Sequence, residues 1–326
     1  MPLTQNIDEL VAAMLGGDMR ALSRLMTRVE TRPDEVPEIM RRVYPKRRPA
    51  RRVGLSGPPG AGKSTLLNNM IRHAHDVGSK VGVLCIDPTS PLSGGAILGD
   101  RIRITEMFPP EDVFIRSVAS GDSLGGLSVA TRMQAVLLEA AGCDLVFIET
   151  VGLGQVGYDI TDVAESLVLV LVPESGDTVQ ILKSGIIELA DIVVVNKADR
   201  DGAQQIAETL RITFDEPRDD WHIPVLLTNA REDEGTGELI NKLDDHFEYL
   251  QNKGKLAAFR GMDTDFMDAL SSQLRRTLTR GFAARHPAFK DYYERMLRGE
   301  MDPYSAAAEA IERLLGWEKG EGRREK

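Results

Sequence analysis

Gly57-Pro58-Pro59-Gly60-Ala61-Gly62-Lys63-Ser64-Thr65 is the stretch on which the fold of this chain turns. Upstream of it lies the apolar run Val53-Gly54-Leu55; downstream, Leu66, Leu67, Met70 and Ile71 recur at helical spacing. The order is therefore strand, glycine-rich loop, helix. Gly57, Gly62, Lys63 and Ser64 fill the pattern GxxxxGK[ST]. Gly60 and Gly62 let the backbone curl with its N–H groups inward, so that they and the helix N-terminus hold phosphate oxygens. Lys63 reaches the outer phosphates, and the Ser64 hydroxyl takes one position on Mg²⁺. The stretch predicts a nucleotide-binding loop, with Gly60, Ala61, Gly62, Lys63, Ser64 and Thr65 around the phosphates.

The sequence on either side has the alternation that such a loop needs. Apolar runs at residues 53–56, 81–86, 113–117, 145–149, 167–172, 192–196 and 225–228 predict strands. Most are continuous rather than alternating, as expected when helices cover both faces of a parallel sheet. Helical patterns at 63–77, 127–141, 183–190, 203–213 and 239–250 fall between them. This predicts a doubly wound α/β fold with a mostly parallel sheet and ligands at the carboxyl ends of its strands. Residues 1–50 read as helices with apolar stripes, Ile7-Leu10-Val11-Met14 and Leu22-Leu25-Met26-Val29, then a shorter one through Val36, Ile39, Met40 and Val43. The basic run from Arg41 to Arg52, containing Pro45 and Pro49, reads as a solvated linker. Residues 51–253 read as the nucleotide-binding domain and 254–326 as a helical region. Stripes at both ends of the domain must be buried on a partner or on the core.

Length and composition set the remaining bounds. The chain has 326 residues, 42% of them apolar and 28% charged, as in an ordinary globular protein. A net charge of −10 argues against nucleic acid or an anionic membrane as main partner. No run of about 18 apolar residues is present to span a membrane, and the start MPLTQNIDEL has no basic-then-apolar signal. Cys85 and Cys143, both in apolar surroundings, read as reduced buried thiols, so a cytoplasmic location is expected.

Asn196-Lys197-Ala198-Asp199 ends an apolar run and fits NKxD. The Asp199 carboxylate can accept from N1–H and the exocyclic amine of guanine; adenine presents an acceptor there and would leave it unpaired. The Lys197 stem can cover the base plane. GTP and GDP are thus expected over the adenine nucleotides. After the next strand, Asn229-Ala230 stands where a backbone amide would meet the base, although a plain strand-to-loop turn reads as well. Glu149 at a strand end can face Mg²⁺ through water, and the Gly152 N–H can meet a γ-phosphate. Asp87 and Asp100 are further acidic candidates, with helix capping a rival role for Asp100. Gln180 or Lys183, in the loop after residues 167–172, could reach phosphates or a partner.

Taken together, GPPGAGKST, Asp87-Pro88, GGAILGDR, SGDSLGG, ETVGLGQ, VQILKSGIIELAD and NKAD resemble the MeaB/ArgK/MMAA family, G-protein chaperones of adenosylcobalamin-dependent acyl-CoA mutases such as methylmalonyl-CoA mutase. The resemblance implies a P-loop NTPase fold of the SIMIBI type and GTP hydrolysis coupled to a separate mutase, which would carry the adenosylcobalamin. It implies that Lys63, Ser64 and Thr65 hold phosphate and metal, and that Asp87, Asp100 and Glu149 surround Mg²⁺ and the attacking water. Residues 176–183 match a third switch ending at Lys183, and the C-terminal helices imply a homodimer. Glu149 stands where most small G proteins have Asp, which fits this group; Asn229 stands where many have a small residue. No arginine or glutamine is obviously placed to complete the transition state, so slow intrinsic hydrolysis is expected, accelerated when a mutase orders residues 88–100 and 176–183. An ATP-dependent small-molecule kinase, another nucleotide-dependent metallochaperone and a scaffold with a structural nucleotide are the alternatives.

Overall fold

A computed structural model describes residues 6–87, 112–119, 129–150, 159–173, 186–255, 266, 269–271 and 287–315. It divides into two compact units, Met1–Asp265 and Phe266–Lys326. The first is built on strands β1 (Arg51–Ser56), β2 (Val81–Asp87), β3 (Val113–Ala119), β4 (Leu145–Thr150), β5 (Ser166–Leu171), β6 (Ile192–Asn196) and β7 (Val225–Thr228). They form one sheet in the order β3-β2-β4-β1-β5-β6-β7, and every pairing is parallel. Its α-helices among the described residues are α1 (Ile7–Leu15), α2 (Met19–Thr31), α3 (Val36–Val43), α4 (Lys63–Asp76), α5 (Val129–Ala140), α6 (Ala203–Thr213) and α7 (Thr236–Asn252).

Alternate residues of each central strand go to opposite faces, and both faces are covered. Val168, Val170 and Val194 share a core with Leu66 and Met70 of α4 and Leu243 and Phe247 of α7. Leu169, Leu171, Val193 and Val195 share another with Ala207 and Leu210 of α6. That is why the runs are apolar at every position. Full burial of one such side chain contributes about 1.5–3 kcal/mol, so a charge on either face of β5 or β6 is disruptive.

The N-terminal stripes are buried on the core. Leu10, Met14, Leu22, Leu25, Met26, Ile39 and Val43 join one cluster with α5, Leu84 of β2 and Ile148 of β4. Polar ties reinforce it, among them Arg116 Nη2 on β3, which donates to Glu30 Oε2 at 2.7 Å, and Gln134 Nε2, which donates to Met26 O at 3.3 Å.

The run from Arg41 to Arg52 differs from the expected solvated linker. Arg42 pairs with Asp8 and Arg51 with Asp244, while Arg52 Nη2 lies 2.7 Å from Glu139 Oε1 and Arg47 Nη1 3.6 Å from Glu139 Oε2. Glu139 is buried on α5, so the arginines beside it answer a charge that sequence spacing does not place. Arg41, Lys46 and Arg48 are exposed, as expected of a linker.

α7 begins at Thr236, earlier than the 239–250 pattern predicts, because the first turn Thr236-Gly237-Glu238 has no apolar period to mark it. Within the expected helix 183–190 the described part is a 3₁₀ turn, Ile186–Leu189. In the second unit, α8 (Pro287–Leu297) and α9 (Pro303–Leu315) are present. Pro303 opens α9, and Asp302 Oδ1 caps it by accepting from Tyr304 N at 2.9 Å and Ser305 N at 3.1 Å. Tyr292 is buried, while Leu297 and Tyr304 are exposed. The helix expected across residues 259–278 falls mostly outside the described residues. No helix among the described residues is long and apolar enough to cross a membrane.

Candidate nucleotide site

The loop between β1 and α4 is fixed by its glycines. Gly57 has φ +153°, and a Cβ there would lie 2.1 Å from Val170 O on β5. Gly60 and Gly62 have φ +75° and +87°, left-handed values that favour glycine. A Cβ on Gly62 would also stand 2.3 Å from Asn196 Nδ2. Among the described residues no side chain caps α4, and its first turn is free of acidic residues, which leaves a positive helix end for an anion.

The polar side chains converge on this loop. Lys63 is buried, and its Nζ donates to Gly57 O at 2.9 Å and Pro58 O at 3.1 Å, curled back over the loop it belongs to. Ser64 Oγ donates to Glu149 Oε1 at 2.7 Å, joining the start of α4 to the end of β4. Glu149 is buried, Ser64 is half-buried and Thr65 is exposed. Thr150 Oγ1 holds β4 to β1 by donating to Leu55 O at 3.3 Å.

The base end is tied to the phosphate end through one side chain. Asn196, at the end of β6 and buried, donates from Nδ2 to Ala61 O at 2.7 Å. Its Oδ1 accepts from Thr228 Oγ1 at 3.1 Å and from Ala230 N at 3.0 Å. Lys197 follows in a left-handed conformation, φ +58°, and Ala198 N donates to Thr228 O at 2.9 Å. That tight turn leaves Asp199 exposed at the sheet's carboxyl edge. The Ala230 amide is therefore taken by Asn196, and Asn229 N donates to Glu234 O at 3.0 Å, closing the loop on itself.

Of the residues expected from sequence, Lys63, Ser64, Glu149, Asn196, Lys197, Asp199, Asn229 and Ala230 lie together at one edge of the sheet. The β2 backbone ends at Asp87 beside β4, with Cys85 paired to Glu149 and Ile86 to Thr150. Asp100, Gly152, Lys183 and the loops 88–100 and 176–183 lie outside the described residues. Asn69 escaped notice. It is a polar residue on the buried face of α4, among Leu66, Met70 and Ile71, and that misfit was its signal. A cavity of about 660 Å³ lined by Arg51, Met70, Phe147 and Phe247 lies between α4 and α7 and contains none of the site residues.

A parallel sheet with a phosphate loop after β1, an acidic residue near the end of β4 and NKxD starting at the end of β6 defines a P-loop nucleotide hydrolase. The family model described as methylmalonyl Co-A mutase-associated GTPase MeaB matches residues 22–280. The chain belongs to this family and is a P-loop GTPase, as the sequence resemblance implied. A protein of Pyrococcus horikoshii named as a GTPase is 41% identical over 317 residues, covering 96% of this chain and 99% of its own. The mouse mitochondrial methylmalonic aciduria type A homolog is 34% identical over 277 residues, covering 78% and 66%. Among solved structures, one of a LAO/AO transport system kinase superposes with a TM-score of 0.66 at 23% identity, covering 97% of this chain and 99% of its own, and shares the fold.

Proposed function

We propose that this GTPase couples GTP binding and hydrolysis to the loading and protection of adenosylcobalamin on a separate acyl-CoA mutase, methylmalonyl-CoA mutase being the first expectation. The family description, which names that mutase, supports the partner. The observation that carries the chemistry is the meeting of Ser64 and Glu149 at 2.7 Å beside the curled phosphate loop.

Backbone amides of residues 57–65 and the α4 terminus receive the phosphates, and Lys63 exchanges the Gly57 and Pro58 carbonyls for phosphate oxygens. A hydroxyl and a carboxylate so close are hard oxygen donors, and they fit Mg²⁺. Ser64 and Glu149, with Asp87 and Asp100, would hold it, and it would neutralise charge on the β- and γ-phosphates. Asp199 accepts from the guanine edge, Lys197 covers the base plane, and Asn196 keeps that edge in register with the phosphates. Catalysis is then mostly positioning. Residues 88–100 and 176–183 complete the site when the mutase binds, and residues 254–326 supply a homodimer contact.

The test is phosphate release from GTP with and without methylmalonyl-CoA mutase. A rise in turnover on adding the mutase is expected, and an unchanged rate overturns the coupling. Equal competition by ATP and GTP for the site overturns the base assignment.

A further inference from the structure

Residue 230 is held from two sides. Its N–H goes to Asn196 Oδ1, and its carbonyl accepts from Asn69 Nδ2 at 2.8 Å. Asn69 stands on the second turn of α4, the helix that opens with Lys63 and Ser64, and is 4% exposed. Its Oδ1 accepts from Arg72 Nη2 at 3.3 Å, which fixes the end of the amide that faces the loop. Since Asn196 Nδ2 donates to Ala61 O, a closed ring of contacts runs from the phosphate loop through β6 to Ala230 and back through α4. The neighbouring tie, Asp233 Oδ2 to Arg72 Nη1 and His73 Nε2, both at 3.3 Å, joins side chains 30–41% exposed. Solvent screens it, so the Asn69 bond is the stronger member.

We infer that Asn69 is a positioning residue for base selection. By gripping the Ala230 carbonyl it sets the distance between the loop 229–235 and the phosphates that a guanine nucleotide needs. This rests on the guanine site proposed above. No metal is involved, only one buried amide, oriented by Arg72, whose loss lets the base-side loop drift while the phosphate loop keeps its own glycine geometry.

Asn69→Leu keeps the shape and removes the donor; Asn69→Gln keeps a donor on a longer arm. Binding of GDP and of inorganic tripolyphosphate, which has no base, is measured for each by calorimetry. Asn69→Leu is expected to weaken GDP about tenfold, the scale of one buried neutral hydrogen bond. Tripolyphosphate should stay within about twofold, the KM for GTP should rise more than kcat falls, and Asn69→Gln should recover part of the loss. Equal weakening of both probes would show a merely structural role and overturn the inference, as would unchanged GDP binding. Should Asn69→Leu melt below the assay temperature, Asn69→Ala with the same probes decides. A wild type that holds ATP as tightly as GTP would overturn the guanine reading and this inference together. Discrimination intact in wild type and in Asn69→Leu overturns the inference alone.

Discussion

Replacing Asn196 by alanine tests the frame that joins the two ends of the site. The side chain is buried and makes three hydrogen bonds, to Ala61 O, Thr228 Oγ1 and Ala230 N. A neutral hydrogen bond contributes about 0.5–1.5 kcal/mol net, and a buried group left unpaired costs about 1–3 kcal/mol. Thr228 can rotate its hydroxyl, but the Ala61 carbonyl and the Ala230 amide are backbone groups and cannot. With water partly replacing the lost amide, the loss comes to about 3 kcal/mol. For a unit of this size that lowers the melting temperature by about 6–12 °C. Thermal unfolding of the nucleotide-free protein, followed by near-UV circular dichroism, reads it directly. Asn196→Asp is the control. It keeps both acceptor roles, turns an oxygen on Ala61 O, and should destabilise as much. Shifts below about 2 °C for both variants, with GDP binding intact, would refute the reasoning.

Gly62→Ala must place a Cβ at φ +87° and 2.3 Å from Asn196 Nδ2, so calorimetry should show GDP binding weakened by at least about tenfold. Glu149→Gln keeps an acceptor for Ser64 and loses the charge; GTP hydrolysis, measured as phosphate release, should fall about a hundredfold, with GDP binding in the absence of magnesium little changed. Arg52→Ala leaves the buried Glu139 with Arg47 as its one cationic partner among the described residues, and urea unfolding should show a loss of about 3–5 kcal/mol, largely recovered by adding Glu139→Gln. Burial pushes the Cys143 thiol from 9.0 up to about 12. The unfolded chain ionises first, so the stability this thiol contributes is whole below pH 9 and is lost as pH rises toward 12. By pH 10 the wild type should lose about 1.4 kcal/mol relative to Cys143→Ala, and parallel pH curves for the two would count against it.

The parts of the molecule readable from sequence are those whose cause is local. The phosphate loop is written in glycines because left-handed backbone admits little else, and β5 and β6 are written as unbroken apolar runs because both their faces are buried. NKxD was legible for the same reason, since a fixed tetrapeptide at a strand end carries its own turn. What escaped depends on neighbours distant in sequence. Arg47 and Arg52 read as linker charges because Glu139, the carboxylate they meet, lies on α5. The Ala230 amide read as open to the base because its partner, Asn196, is on another strand. Asn69 faces inward where a helical stripe calls for an apolar residue, and only the fold shows the carbonyl that repays its burial.

The placing of α1, α2 and α3 on α5 has a consequence for how the chain is made. These helices leave the ribosome ahead of much of the surface that covers them, since α5 and β4 are translated about a hundred residues later. At ordinary synthesis rates their oily stripes wait about 5–20 s for it. A segment made early is thus seated late, and the nascent chain must be kept from sticking to its neighbours until then.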